Sequence, residues 1–119
     1  MHELSLMQGV MDAVKPVAIE NGATRITSIT LSIGEMTQVV DEAMQFAFDA
    51  LTEDDPLMDG AELIMEFVPC KSACFECGNE FEHDRYHMKC PQCGSGHTVV
   101  LSGKELHIAS IEIEDESED

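Results

Sequence analysis

Twenty-four acidic against six basic residues give this 119-residue chain a formal charge of −18. Such a surface repels phosphate backbones and excludes nucleic-acid readout, while suiting cationic partners, metal ions or a salt-adapted proteome. The length holds one modest core with an appendage. No apolar run approaches a bilayer span, and Glu3 and Asp12 flanking the first apolar residues argue against a signal peptide.

Residues 4 to 20 place Leu4, Met7, Val10, Met11, Val14, Val17 and Ala18 at helical spacing. The spacing predicts an amphipathic helix stopped by Asn21-Gly22, with Pro16 bending it or ending its regular part. Met7 and Met11 read as core filler. Residues 25 to 33 alternate Thr27, Ile29, Leu31 and Ile33 against Ile26, Ser28, Thr30 and Ser32, which predicts a strand with one buried face. After Gly34-Glu35, Asp41 is expected to cap a second helix whose Met44, Ala47, Phe48 and Leu51 share a face. Glu53-Asp54-Asp55 before Pro56 reads as a solvated loop. Leu63, Met65 and Phe67 alternate with Glu62, Ile64 and Glu66 in a second strand ending at Pro69. Past Gly103, the phase switches from Leu106 and Ile108 to Ala109, Ile111 and Ile113, so the third strand is expected to carry a bulge. Glu112 to Asp119 reads as a solvated acidic tail.

Between the second and third strands lie Cys74-Phe75-Glu76-Cys77-Gly78 and Cys90-Pro91-Gln92-Cys93-Gly94. Each pair sets two thiolates on one tight turn, and the following glycine can take positive φ. Four soft donors in a tetrahedron suit a closed structural zinc site at Cys74, Cys77, Cys90 and Cys93. A pair of disulfides and a rubredoxin-like iron site are the rival readings. Phe75, Phe81 and Tyr86 leave little for an iron-burying core. Four cysteines in metal spacing and one left over, Cys70, point to a reducing cytoplasm. Cys70 reads as a small strand-end residue with some capacity for ligand exchange.

The element order implies an α+β fold: a small three-stranded mixed sheet covered by two helices, with an inserted zinc-ribbon-like lobe. The strand–helix–strand crossover makes the first two strands parallel. The expected division is 1–69 with 99–119 as the α/β domain and 70–98 as the zinc-binding domain.

No nucleophile with a base, phosphate loop or apolar carboxylate pair is evident, so catalysis is not expected. Met1-His2-Glu3 offers another chemistry. The Met1 amine, the His2 amide nitrogen and the His2 imidazole form adjacent chelate rings, and Glu3 adds a fourth donor. That planar set is favoured by Ni(II) or Cu(II). An acid in a first helical turn is equally ordinary as dipole complementation, so the tripeptide alone leaves both readings open.

Met1-His2-Glu3-Leu4-Ser5-Leu6, the Ile33-Gly34-Glu35 turn, the two cysteine pairs and the closing Lys104-Glu105-Leu106…Ile108…Ile111-Glu112 together resemble the HypA/HybF family. The motifs run in the family's order over essentially the whole chain. The resemblance implies a non-enzymatic nickel metallochaperone for maturation of nickel–iron hydrogenase. It further implies nickel held by Met1, His2 and Glu3 in the α/β domain, zinc at Cys74, Cys77, Cys90 and Cys93, the GTPase HypB as partner, and the hydrogenase large-subunit precursor as recipient. Some members have histidines close behind their cysteine pairs. Here Gly78 and Gly94 follow, and the nearest histidines are His83 and His97, so a ligand-swapping switch is not expected. His83, His87 and His97 read as surface residues or supports of the ligands, and His107 as structural. The alternatives are a zinc-ribbon interaction module without nickel transfer and a rubredoxin-like electron carrier.

Overall fold

The computed structural model describes residues 3–84 and 86–115. It holds two helices and two three-stranded sheets: α1 (Glu3–Glu20), β1 (Ala23–Gly34), α2 (Asp41–Thr52), β2 (Glu62–Val68), β3 (Cys70–Cys74), β4 (Glu80–His83), β5 (Thr98–Ser102) and β6 (Leu106–Asp115). Two compact units divide the chain, one formed by 1–31, 39–65 and 108–119, the other by 32–38 and 66–107.

In the first unit, α1 buries Met7, Met11, Val14 and Ala18 at spacings of four, three and four, while Leu4 and Val17 of the expected stripe are exposed. Pro16 does not end the helix, which continues to Glu20. The stop is the expected one. The backbone and side-chain amides of Asn21 both donate to the Val17 carbonyl, and Gly22 takes φ 78°. The expected cap of α2 is corrected: Val40 occupies the cap position without a side-chain bond, and Asp41 is the first helical residue. There its carboxylate accepts from Gln45 one turn on and faces the positive end of the helix dipole. Met44, Ala47 and Phe48 form the buried face of α2, which packs with α1.

The mixed sheet has β1 at its centre between β2 and β6. Thr24 donates to the Glu114 carbonyl, setting the start of β1 beside the end of β6. Arg25 bonds the Glu114 carboxylate and donates to the Asp59 carbonyl ahead of β2, so β1 runs parallel to β2 and antiparallel to β6. Burial along β1 departs from one-faced alternation. Ile26 and Ser28 are buried, and the pattern then changes phase to Ile29, Leu31 and Ile33. Both faces of the first half of this central strand are therefore partly covered. In β2, Leu63 is buried and Phe67 is exposed. In β6, half-burial moves from Ile108 to Ile111 and Ile113, matching the phase switch in the sequence. The acidic loop is not wholly solvated: Asp55 pairs with Lys15 and accepts the Leu57 N–H, capping a 3₁₀ turn opened by Pro56.

In the second unit, β3 lies between β4 and β5 and is antiparallel to both. Its buried face is Cys70, Ser72 and Cys74. β5 returns to pair with β3, and the turn after β1 belongs to the same unit. There Gly34 donates to the Glu105 carbonyl and Met36 to the Gly103 carbonyl. A side chain at Gly34 would sit 2.1 Å from the Gly103 carbonyl, so only glycine allows the two backbones this close.

Candidate metal centre

Two loops with the same internal bonding hold the four cysteines. In the first, the Gly78 N–H donates to the Cys74 carbonyl and the Cys74 N–H to the Asn79 carbonyl. In the second, the Gly94 N–H donates to the Cys90 carbonyl and the Cys90 N–H to the Ser95 carbonyl. Gly78 and Gly94 share nearly the same left-handed φ, 77° and 76°, which a residue with a Cβ adopts only with strain. The first cysteine of each loop is buried and the second exposed. The centre is thus anchored from within and open on one side.

All four sulfurs lie within 4.8 Å of one another. Cys74 Sγ is 3.5 Å from Cys93 Sγ, and Cys77 Sγ is 3.6 Å from Cys90 Sγ. A disulfide requires about 2.05 Å, so these are free thiols and the disulfide reading fails. A tetrahedron of sulfurs about 2.3 Å from zinc has edges of roughly 3.8 Å, close to the spacing seen. This donor set fits zinc.

Electrostatics push the same way. Burial disfavours charge on Cys90, but the N–H groups of Cys93 and Gln92 and the thiols of Cys77 and Cys93 outweigh it and bring its thiol down to about 6. The Ser95 N–H favours charge on Cys93, yet the Cys74 thiol, burial and the other two thiols push it up to about 12. One thiolate is easily formed in the cluster and further ones are opposed. A divalent cation removes that opposition and lets all four sulfurs bind as thiolates.

The neighbours support the sulfurs rather than replace them. The Asn79 side-chain amide points at Cys90 Sγ at 3.8 Å. The His97 carbonyl accepts the Phe75 N–H, and its ring bonds Glu76 within the first loop at 3.0 Å. Asn79 and Ser95 were not singled out in the sequence, although each follows its loop's glycine at the same position. His83 is half-buried. Its Nδ1 donates to the Asp84 carbonyl, which can only accept, and its Nε2 lies 2.6 Å from the Ser72 hydroxyl. His87 pairs with Asp84 and is exposed, as is His107 on β6. Cys70 does not join the cluster: it is buried at the start of β3 under Gly103, and burial pushes its thiol up. Of the expected nickel ligands, Glu3 is half-buried at the start of α1, while Met1 and His2 lie outside the described residues. No described helix is long and apolar enough to cross a membrane.

A family model described as hydrogenase/urease nickel incorporation, metallochaperone, hypA matches residues 1–113. The hydrogenase maturation factor HypA of Caldanaerobacter subterraneus subsp. tengcongensis is 41% identical over 115 residues, covering 96% of this chain and 100% of that protein. That of Chlorobium luteolum is 39% identical over 118 residues, covering 99% and 100%. The fold is similar to the solution structure of the Ni metallochaperone HypA from Helicobacter pylori, with a TM-score of 0.68 over 98% of this chain and 100% of that one at 23% identity. A whole-length family match, relatives aligned end to end and a four-thiol centre in the expected lobe converge on one conclusion: the chain belongs to the HypA family.

Proposed function

We propose that this chain is a cytoplasmic, non-enzymatic metallochaperone that carries Ni(II) to nickel–iron hydrogenase during its maturation. The observation that carries the reading is the match of residues 1–113 to a nickel-incorporation family. Nickel is the cargo. It is held at Met1, His2 and Glu3, where a terminal amine, an amide nitrogen, an imidazole and a carboxylate make a planar nitrogen and oxygen set. An α-amine with a pKa of about 7.7–8.0 yields its proton to a metal near neutral pH. Cargo must leave by ligand exchange, which favours a chelate on a chain end over an enclosed site. The partners are the GTPase HypB and the precursor of the hydrogenase large subunit.

Cys74, Cys77, Cys90 and Cys93 have the opposite task. Zinc bound there would cross-link the two loops and hold the lobe together. Phe75 and Tyr86 are exposed rather than folded over the sulfurs, which weighs against an iron centre buried for electron transfer.

The test is metal analysis and calorimetric nickel titration of untagged wild-type, N-terminally acetylated and His2→Ala protein. The expected result is one zinc per chain in all three before nickel is added. High-affinity nickel binding is expected only in the wild type. A red iron-containing protein, or equal nickel affinity in all three, would overturn the reading.

A further inference from the structure

Helix α2 has two faces, and the fold uses one. Met44, Ala47 and Phe48 are buried together. At 100° per residue the opposite side carries Glu42, Phe46, Asp49 and, just past the last turn, Glu53, at i, i+4, i+7 and i+11. Phe46 is 77% exposed, more than any other large apolar side chain among the described residues. A single exposed apolar residue is ordinary. This one, however, has a carboxylate one turn away on either side and lines a shallow depression of about 440 Å³ with Asp49, Ala50 and Glu53. None of Glu42, Asp49 and Glu53 is in an ion pair among the described residues.

The surrounding charge decides what such a face can bind. The compact unit that contains α2 has seventeen acidic and two basic residues, against seven and four in the other unit. Both bases are engaged, Lys15 by Asp55 and Arg25 by Glu114. Phe46 therefore stands in a field dominated by one sign, with no unpaired Lys or Arg among the described residues of its unit. A second copy of this chain would bring the same charge and be repelled. So would nucleic acid. A bare divalent cation has no use for the ring, and the only group of three or more metal donors within reach of one another among the described residues is the four cysteines. A guanidinium or ammonium group can lie over the ring face while bonding a flanking carboxylate, and adjoining apolar residues can take the ring into a pocket.

We propose that Phe46, with Glu42, Asp49 and Glu53, forms a docking face for a protein partner that presents an apolar pocket rimmed by lysine or arginine. The face and the cysteine centre belong to different units, and the proposal does not depend on which metal the cysteines hold.

The experiment places p-benzoyl-phenylalanine at position 46 of the purified full chain. The protein is irradiated in clarified lysate of its source cells, and the cross-linked peptide is sequenced by mass spectrometry. The expected product is one dominant conjugate to a peptide in which Lys or Arg neighbours apolar residues. Its yield should fall about fivefold or more in the Glu42→Gln, Asp49→Asn, Glu53→Gln background, and likewise when ionic strength rises from about 0.05 to 0.5 M. Cross-linking to a second copy of the chain, to an acidic peptide, or with no dependence on charge would overturn the proposal, as would no conjugate at all. Phe46→Ala and the triple variant should not lower the melting temperature by more than about 2 °C, since exposed side chains contribute little to folding. A larger drop would show that the ring packs within the fold and is not a free docking residue.

Discussion

The two compact units are stabilised by different means. The unit built on α1 and α2 buries Met7, Met11, Val14, Ala18, Ile26, Ile29, Leu31, Met44, Ala47, Phe48, Met58 and Leu63, a set that supports itself by apolar burial. In the cysteine-bearing unit the buried apolar side chains are Ile33, Cys70, Cys74, Phe81 and Cys90, and around the metal centre they form only the cluster Cys74, Phe81 and Cys90. Burying one phenylalanine contributes about 1.5–3 kcal/mol. Ordering a single residue's backbone costs about 1–2 kcal/mol, so that cluster cannot hold a lobe of this length by itself. A metal cross-link between the two cysteine loops supplies what the small core lacks. The contrast also fits the proposed division of labour, with a resident ion where the core is thin and the cargo elsewhere.

Cys90→Ser is the strongest way to break the comparison. It removes the thiol that ionises most readily and that Asn79 supports. Zinc should be lost and the amide signals of 70–98 should collapse, while the melting transition of the helical unit persists. Retained stoichiometric zinc with an unchanged lobe would contradict the account. Acid should act on the lobe as the substitution does. In the metal-free lobe the Cys90 pKa is depressed, so its contribution is present at high pH and lost as pH falls through about 6, and bound zinc, by holding the thiolate against protons, should move that loss to lower pH.

Gly34→Ala probes the second unit without touching a ligand. Its Cβ would meet the backbone of Gly103 at 2.1 Å and of Lys104 at 2.5 Å, and neither can turn aside as a flexible side chain would. The expected cost is roughly 2 kcal/mol or more, read by denaturant unfolding of the zinc-loaded protein.

A smaller effect is expected from Asp55→Asn in the helical unit. The Lys15 ammonium, aided by the Leu57 N–H, holds the Asp55 carboxyl below its ordinary 3.8. Loss of that charge should cost about 0.2–1 kcal/mol at pH 7, the range of a partly exposed ion pair, because asparagine keeps an acceptor for the Leu57 N–H. Because the folded pKa is depressed, the contribution is present above 3.8 and disappears as pH falls through the depressed value. The two proteins should therefore converge in stability in strong acid. A gap of constant size across that range would show that the ion pair is not its source.

Much of this design was legible in residue order because the relevant physics is local. Cys-x-x-Cys-Gly specifies a turn, two thiols and a left-handed glycine within five residues, and the structure repeats that turn at both places. Asn21-Gly22 ends α1 for equally local reasons. What escaped depends on distant partners. Ser72 bonds His83 across eleven residues, and β5 returns to β3 from beyond the second cysteine loop, so neither the buried hydroxyl nor that strand pairing shows in the periodicity. Burial of Ile26 on the nominally polar face of β1 likewise reflects coverage of a central strand on both sides. The cap expected at Asp41 falls one residue off because aspartate suits both the cap and the first turn, and residue type alone does not separate adjacent positions.

X-ray absorption at the zinc and nickel edges, on untagged protein loaded with one of each ion, tests the central claim most directly. The account predicts zinc surrounded by four sulfurs at about 2.3 Å and nickel surrounded only by nitrogen and oxygen. Sulfur in the nickel shell, or histidine nitrogen in the zinc shell, would contradict it.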